Sequence, residues 1–582
     1  MVDVLPVSGS NNSFNTESSD SKRFSRQLEQ YPIGARRWFL LFVVIVSSIV
    51  LWYQYYVPTS VATVVLAHFH MTFRYYVYII VVANVGGVVA ALLGGLADKF
   101  GRSNIVIFGL LVVGLIQWFY IPNATSQFEF AAGIVAVGLF EGVILVATPA
   151  LVRDFTPQLG RASAMGFWTL GPVAGVLTSS LIGSHLLGVN STDWQRAFII
   201  SGVAGIGVFI IAILFLKELS PKLRDQLMVS SKDLELIEFK AKGLDVESVT
   251  KNAFSQMFKI DILGSAFAIS VLLILYYTAS GFFTIYFATV FQRNGVRFTI
   301  QQANGIDTWI WATNCIALIV FGLLSDLVKV RKPFMLIGSI GCAITTLVLI
   351  DYTMKPATGY YTLVLITCIF FSFSGMVYAT WMAGFTEMVE RRNPALVATG
   401  LSLWGGILRL IVAVSLLLLP IVVGSTNKIV DNQAAQVYVP KALAIESKYG
   451  KLIAIVQKDP SLFNKLGSYS NPSQIPPSLL STGIKVAGGG LTGVNNLVAI
   501  SKIKPQLQFL QEHQAALLAL QQGSQQAPNQ WRNWFWVCFG GVILFIPFIF
   551  LMKGRWSPAA AKRDAEEHQK NVVAELTKLK TS

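Results

Sequence analysis

The chain has 582 residues, 54% of them hydrophobic and 13% charged, with a mean hydropathy of +0.59. An ordinary soluble domain carries about 25% charged residues, so the composition excludes a string of soluble domains and indicates a polytopic membrane protein. A formal charge of +15 would fit a nucleic-acid binder, but the basic residues sit in alternate short loops, a distribution that reports membrane topology instead.

Residues 1–35 include "SGSNNSFNTESSDSKR", too polar to bury a core, and are expected to be a disordered tail. The first apolar run starts behind it at Trp38, so no cleavable signal peptide is expected. Twelve runs then have the length of a bilayer-crossing helix, about 20 residues. They are spans 1–6 (38–57, 75–96, 104–122, 129–150, 164–187 and 198–216) and spans 7–12 (264–289, 305–324, 333–351, 361–383, 396–423 and 534–552). The alternating ten-residue segments of a β-barrel are absent. The fold class is therefore an all-α membrane protein of twelve transmembrane helices.

Lys99 and Arg102, Arg153 and Arg161, Lys329, Arg331 and Lys332, then Arg391 and Arg392 fall in alternate loops. The loops between hold only scattered Arg74, Arg196, Arg293, Arg297 and Lys355. This bias places both termini in the cytoplasm of a multi-pass plasma-membrane protein. All four cysteines lie inside predicted spans, so no disulfide framework is implied.

Between spans 6 and 7, residues 217–261 read as a cytoplasmic linker of short amphipathic helices. Residues 424–533 separate spans 11 and 12 on the external side; a loop this long implies a small, mostly helical cap. The cytoplasmic tail 553–582 carries both charge signs.

The halves repeat. "GGLADKFGR" (94–102) after span 2 aligns with "GLLSDLVKVRK" (322–332) after span 8, Gly94 over Gly322 and Asp98 over Asp326, an offset of 228. "GFWTLGPVAG" (166–175) matches "GLSLWGGILR" (400–409) at an offset of 234. Arg196 over Arg532 gives 336, and the jump of about 100 is close to the length of the insert. Six-span repeats of this kind mark transporters whose substrate site lies between the halves near the midplane.

These residues resemble the major facilitator superfamily. Gly94, Leu96, Ala97, Asp98, Lys99, Gly101 and Arg102 match its signature loop, and the copy around Asp326 has Lys329 and Val330 where the second glycine and its arginine belong. The resemblance covers about 36–423 and 534–556. It implies two pseudo-symmetric six-helix halves, a cavity lined by spans 1, 4, 7 and 10, and a conformational latch. In that latch Asp98 would face the N-terminus of span 11 near Pro394-Ala395, and Arg102 would pair with Asp154. The family often carries an arginine in span 4 where this chain has Gly138.

Three groups of candidates follow. Glu141, in "VAVGLFEGVILVATP" near the centre of span 4, is a mid-bilayer carboxyl suited to carry a coupled proton or to fix packing through a partner. Arg409, alone in "LSLWGGILRLIVAV", stands over Gly175 of the other half. Its planar fork suits a carboxylate or phosphate, and Ser402, Gly405 and Gly406 on its face would let a neighbouring helix come close. Tyr276, Tyr277, Tyr378 and Trp381, with Tyr53 and Gln54 behind them, could grip a solute, as could Asn314 in span 8. Gly171, Pro172 and Gly175 resemble part of a motif of proton-driven exporters and otherwise read as a helix-packing device.

No nucleotide-binding loop, metal-ligand cluster or catalytic constellation is visible, so no cofactor, metal or enzymatic activity is expected. The expected function is ion-gradient-driven, proton-coupled transport of a small organic, anionic solute by alternating access. Two alternatives stay open: a proton-driven drug or metabolite exporter, and a transporter-like sensor that uses the external insert to bind a protein partner. The expected partners are the solute, the coupling ion and the lipid bilayer, with no nucleic acid.

Overall fold

The computed structural model describes residues 26–92, 101–155, 161–186, 193–220, 258–293, 296–392, 397–469 and 474–563, together with 223, 566–567 and 570–571. Gly94, Asp98, most of the linker and residues 1–25 lie outside the described residues. Among the described residues, eleven helices are long and apolar enough to cross a membrane. Predicted span 5 is the helix Arg161–Leu186, whose stretch Leu170–Leu186 is apolar.

Local sequence explains where these helices start, bend and stop. Span 8, Ile300–Val328, opens with a capping box in which the Thr299 hydroxyl accepts from Gln302 N–H and the Gln302 side chain accepts from Thr299 N–H. It ends at Lys329, in a left-handed conformation (φ 58°). Span 7 is one predicted run but two helices, Ile260–Leu272 and Ile274–Val290, meeting at Leu273 just before Tyr276 and Tyr277. Span 3, Arg102–Leu115, widens into a π-helical turn, Ile116–Tyr120. That turn points Gln117 inward to donate to Gln54 O (2.9 Å) and accept from the Ser201 hydroxyl (2.8 Å).

The helix contacts repeat between the halves. Spans 1–5, 2–4, 1–6 and 3–6 touch in the first half (span 1, Ala35–Ser60; span 2, Phe73–Leu92; span 4, Gln127–Asp154; span 6, Trp194–Phe215), as do spans 7–11, 8–10, 7–12 and 9–12 in the second (span 9, Lys332–Thr353; span 10, Tyr360–Arg392; span 11, Val397–Val422). The halves meet along two seams, span 5 on span 8 and span 2 on span 11, and at the ends of spans 1 and 7.

The end of the molecule that carries the insert is shut. Thr284 donates to Thr59 O (2.9 Å), Asn304 to Ser60 O (2.7 Å), and Phe73 meets Phe282 edge to face. The insert folds into helices around a small core of Val456, Phe463 and Ile500 and continues without a break into span 12 as one 48-residue helix, Lys504–Leu551. At 1.5 Å per residue that helix is about 72 Å long, far beyond a membrane crossing. The insert also reaches across to the first half, where Gln433 donates to Thr63 O (2.6 Å) and Asp431 accepts from Phe73 N–H.

At the opposite end, Gln27–Leu28 pairs in parallel with Glu218–Leu219. The Glu218 carboxylate accepts from Arg102 N–H (2.8 Å), beside Gly101, whose φ of 88° favours glycine.

Candidate functional site

Glu141 is 5% exposed, and its Oε1 has no hydrogen-bond partner. Span 4 brings it there by close packing on span 2. A Cβ at Gly138 would lie 2.7 Å from Ala83 O, and one at Gly142 would lie 2.6 Å from Gly87 Cα. The position where the family pattern often has arginine therefore has no room for a side chain.

The cation comes from the other half. Arg409 is exposed, and its charge acts on Glu141, on Tyr55 of span 1 and on Tyr277 of span 7. Arg409 of span 11 therefore acts on side chains of three other spans, 1, 4 and 7. No ion pair joins Arg409 to Glu141 among the described residues. Around Gly405 and Gly406 there is open space, with nothing within 4 Å of an added Cβ. The expected close helix approach is absent there, and the glycines leave room beside the guanidinium.

Aromatic groups line both halves. Tyr276 donates to Asn314 Oδ1 (3.3 Å) and packs on Tyr277, Trp311, Phe371 and Tyr378. Asn314 in turn donates to Phe371 O (2.9 Å). Facing them, Trp52, Tyr55 and Tyr56 form a ring cluster, with Tyr55 in hydrogen-bond reach of Asn84 and Tyr56 of Ser280 across the gap. The indole N–H groups of Trp52, Trp311 and Trp404 are buried and have no acceptor.

Four of the predicted residues (Tyr276, Tyr277, Tyr378 and Asn314) are thus brought together around Tyr276, and of these Tyr277 also feels the charge of Arg409. Trp381 is fully buried between Phe385 and Trp404, inside its own half. Gln54 belongs to the Gln117–Ser201 network, and Tyr53 is buried without a hydroxyl partner. Tyr55, Tyr56 and Asn84 take the place expected of them. "WYQYYV" offered four polar-aromatic positions in a row, and only the helix rotation distinguishes those facing the gap.

The remaining candidates have structural neighbours. Arg102 pairs with Asp154 at 3.1 Å, joining spans 3 and 4 within one half. In the second half Arg331 pairs with Asp326 at 2.5 Å and Glu387 at 2.9 Å. It supplies, one residue further on, the cation that direct alignment had replaced by Val330. A Cβ on Gly171 would lie 2.8 Å from Ser48 Oγ, and one on Gly175 would lie 2.8 Å from Tyr53 N. With Pro172, these glycines seat span 5 on span 1.

The sequence profile of the Major Facilitator Superfamily matches residues 38–301. That match takes in the first six spans and span 7, 264 of the 582 residues, and this part of the chain is similar in sequence to that superfamily. The chain is 24% identical over 326 residues to a quinolone resistance protein of Staphylococcus aureus (strain bovine RF122 / ET3-1), covering 49% of this chain and 67% of that protein. It is 27% identical over 290 residues to a facilitated trehalose transporter of Bombyx mori, covering 46% and 54% respectively. The fold matches a bacterial homologue of the human lysosomal transporter Spinster, with a TM-score of 0.55 at 15% identity over 90% of this chain and 97% of that one. The eleven apolar helices of the described residues fit a multi-pass membrane protein.

Proposed function

We propose that the protein moves a small organic anion together with a proton by rocking its two halves around the gap between Glu141 and Arg409. A single observation carries this reading: a buried carboxyl on one half, its Oε1 without a hydrogen-bond partner, lies within the field of an exposed guanidinium on the other that forms no ion pair among the described residues. An anion drawn to Arg409 brings negative charge next to Glu141, and a proton on Glu141 then relieves the repulsion. The coupling is reciprocal, so either ligand favours the other, by about 5- to 150-fold for typical linked sites. Three indole donors without acceptors and the tyrosine hydroxyls favour an acceptor-rich, planar solute. The short basic loops support cytoplasmic termini in the plasma membrane, with the insert outside.

The test uses proteoliposomes of the full chain and a panel of carboxylates, phosphates and neutral drugs. Accumulation of a carboxylate that carries protons with it, lost in Glu141→Gln and in Arg409→Ala, is the expected result. Equal transport by Arg409→Ala would refute the anionic site. Export of uncharged drugs is the second reading, favoured by the similarity to a quinolone resistance protein. Binding of a partner to the insert without any solute flux would instead mark a sensor.

A further inference from the structure

Span 8 carries a second buried carboxyl far from Glu141. Asp307 is 5% exposed, its Oδ1 has no hydrogen-bond partner, and no ion pair reaches it among the described residues. One helical turn away, on the same face, Asn304 uses its Nδ2 to hold Ser60 O of the first half (2.7 Å), while its Oδ1 is buried and equally unpartnered. Span 5 closes this spot, since a Cβ on Gly183 would stand 3.0 Å from Asn304 Oδ1. Two acceptor oxygens without a donor therefore sit at the seam that shuts the insert end.

Buried acceptors without donors cost about 1–3 kcal/mol each, and an unpaired buried charge costs more. One proton on Asp307 removes the charge and supplies a donor one turn from the Asn304 oxygen. Two oxygens are too few for a hard metal cation, which takes six or more. Among the described residues, the helices packed on span 8 bring no counter-charge. Their titratable groups here are His185 of span 5, bonded to Leu181 O, Tyr360 of span 10, lying against Gly305, and Tyr276 and Tyr286 of span 7, bonded to Asn314 and Thr353. No ion pair to Asp307 forms among the described residues.

We propose that Asp307 is a proton-binding site separate from Glu141, and that the insert end closes only when it is protonated. When the halves part, Asn304 releases Ser60, water reaches Asp307 and the carboxyl ionises. Closing again requires a proton from that side. The linkage sets the size of the effect: above the pH at which the exposed carboxyl titrates, the closed-to-open ratio falls about tenfold per pH unit.

The test places spin labels at Phe128→Cys and Tyr361→Cys, exposed positions at the insert-end starts of spans 4 and 10, in a cysteine-free full chain in nanodiscs. Their distance distribution is recorded between pH 5 and 9. The open population should rise with pH in the parent and in Glu141→Gln, and stay low at every pH in Asp307→Asn and Asp307→Ala. Unchanged pH dependence in both Asp307 variants, none in the parent, or closure by sodium at fixed pH would each overturn the proposal. Because Glu141→Gln must keep the effect, a failed transport assay leaves this result unaffected.

Discussion

The Arg102–Asp154 pair and the Arg196–Asp193 pair lie in the same half and differ chiefly in burial, so they form a controlled comparison. The Arg102 and Asp154 side chains are 12% and 6% exposed, and the guanidinium reaches both carboxylate oxygens at 3.1 and 3.2 Å. Arg196 and Asp193 are 68% and 44% exposed. Asp154→Asn keeps the shape and removes the carboxylate charge that faces the Arg102 guanidinium. Breaking a buried pair costs 3–5 kcal/mol; since Arg102 retains some access to water, about 3 kcal/mol is expected. Asp193→Asn should cost less than about 1 kcal/mol. Thermal unfolding in detergent, followed by tryptophan emission, reads both variants in parallel. Adding Arg102→Gln to Asp154→Asn should recover part of the loss, and 0.5 M salt should abolish the small effect at Asp193 but spare the large one. If Asp154→Asn unfolds no earlier than Asp193→Asn, burial does not govern these pairs and the reasoning fails.

Other substitutions separate packing from open space. Gly175→Leu forces a side chain into the span 1 backbone at Tyr53 and should abolish monodisperse expression, whereas Gly405→Ala meets nothing within 4 Å and should be neutral or stabilise by up to about 1 kcal/mol, read by size-exclusion profile and melting temperature. Thr426→Val leaves the buried Trp531 indole N–H, which donates to Thr426 at 3.1 Å, without an acceptor; a loss of about 1–3 kcal/mol and faster proteolysis of the insert are expected. Asp459 caps the helix Pro460–Gly467 by accepting from Leu462 N–H, which holds its carboxyl below the usual range. The cap is therefore complete above the ordinary carboxylate range and is lost only as pH falls through the lowered value. Amide exchange across 460–467 should rise only in strong acid, and at every pH in Asp459→Ala.

Much of the architecture was legible because lipid simplifies the code. Each crossing must close its own backbone hydrogen bonds and bury apolar side chains. Length and hydropathy therefore locate where all spans but the last begin to within a few residues, although span 10 runs on past the predicted 383 to Arg392. The fusion of insert and span 12 escaped this reading because "QLQFLQEHQAALLALQQG" and the span look like separate runs, and Pro528 reads as a break. The second-half cation escaped for a different reason. Alignment fixes positions, but an arginine side chain is long enough for Arg331 to reach Asp326 and Glu387 from one residue away. Asp307 was hidden at the head of an apolar run, next to Asn304, where a polar residue reads as a span boundary. Its burial is set by span 5 and the end of span 1, which no local pattern in span 8 records.

The two unpaired carboxyls also constrain how the cycle can run. Glu141 belongs to the first half, midway along span 4, and Asp307 to the second, beside the closed seam. A proton on Asp307 favours the shut insert end whatever the gap holds. On the proposed coupling, a proton on Glu141 favours an anion at Arg409 whichever end is open. If both sites load from the insert side, closing traps one proton at the seam and one with the solute, and only the second is exposed when the opposite end opens. Transport would then move one proton per anion while closing consumes a second, which returns to the same side when the end reopens. Net proton flux per solute should therefore be the same in Asp307→Asn as in the parent, even though turnover slows. A stoichiometry that falls in that variant would mean that the Asp307 proton crosses the membrane with the solute instead of guarding the gate.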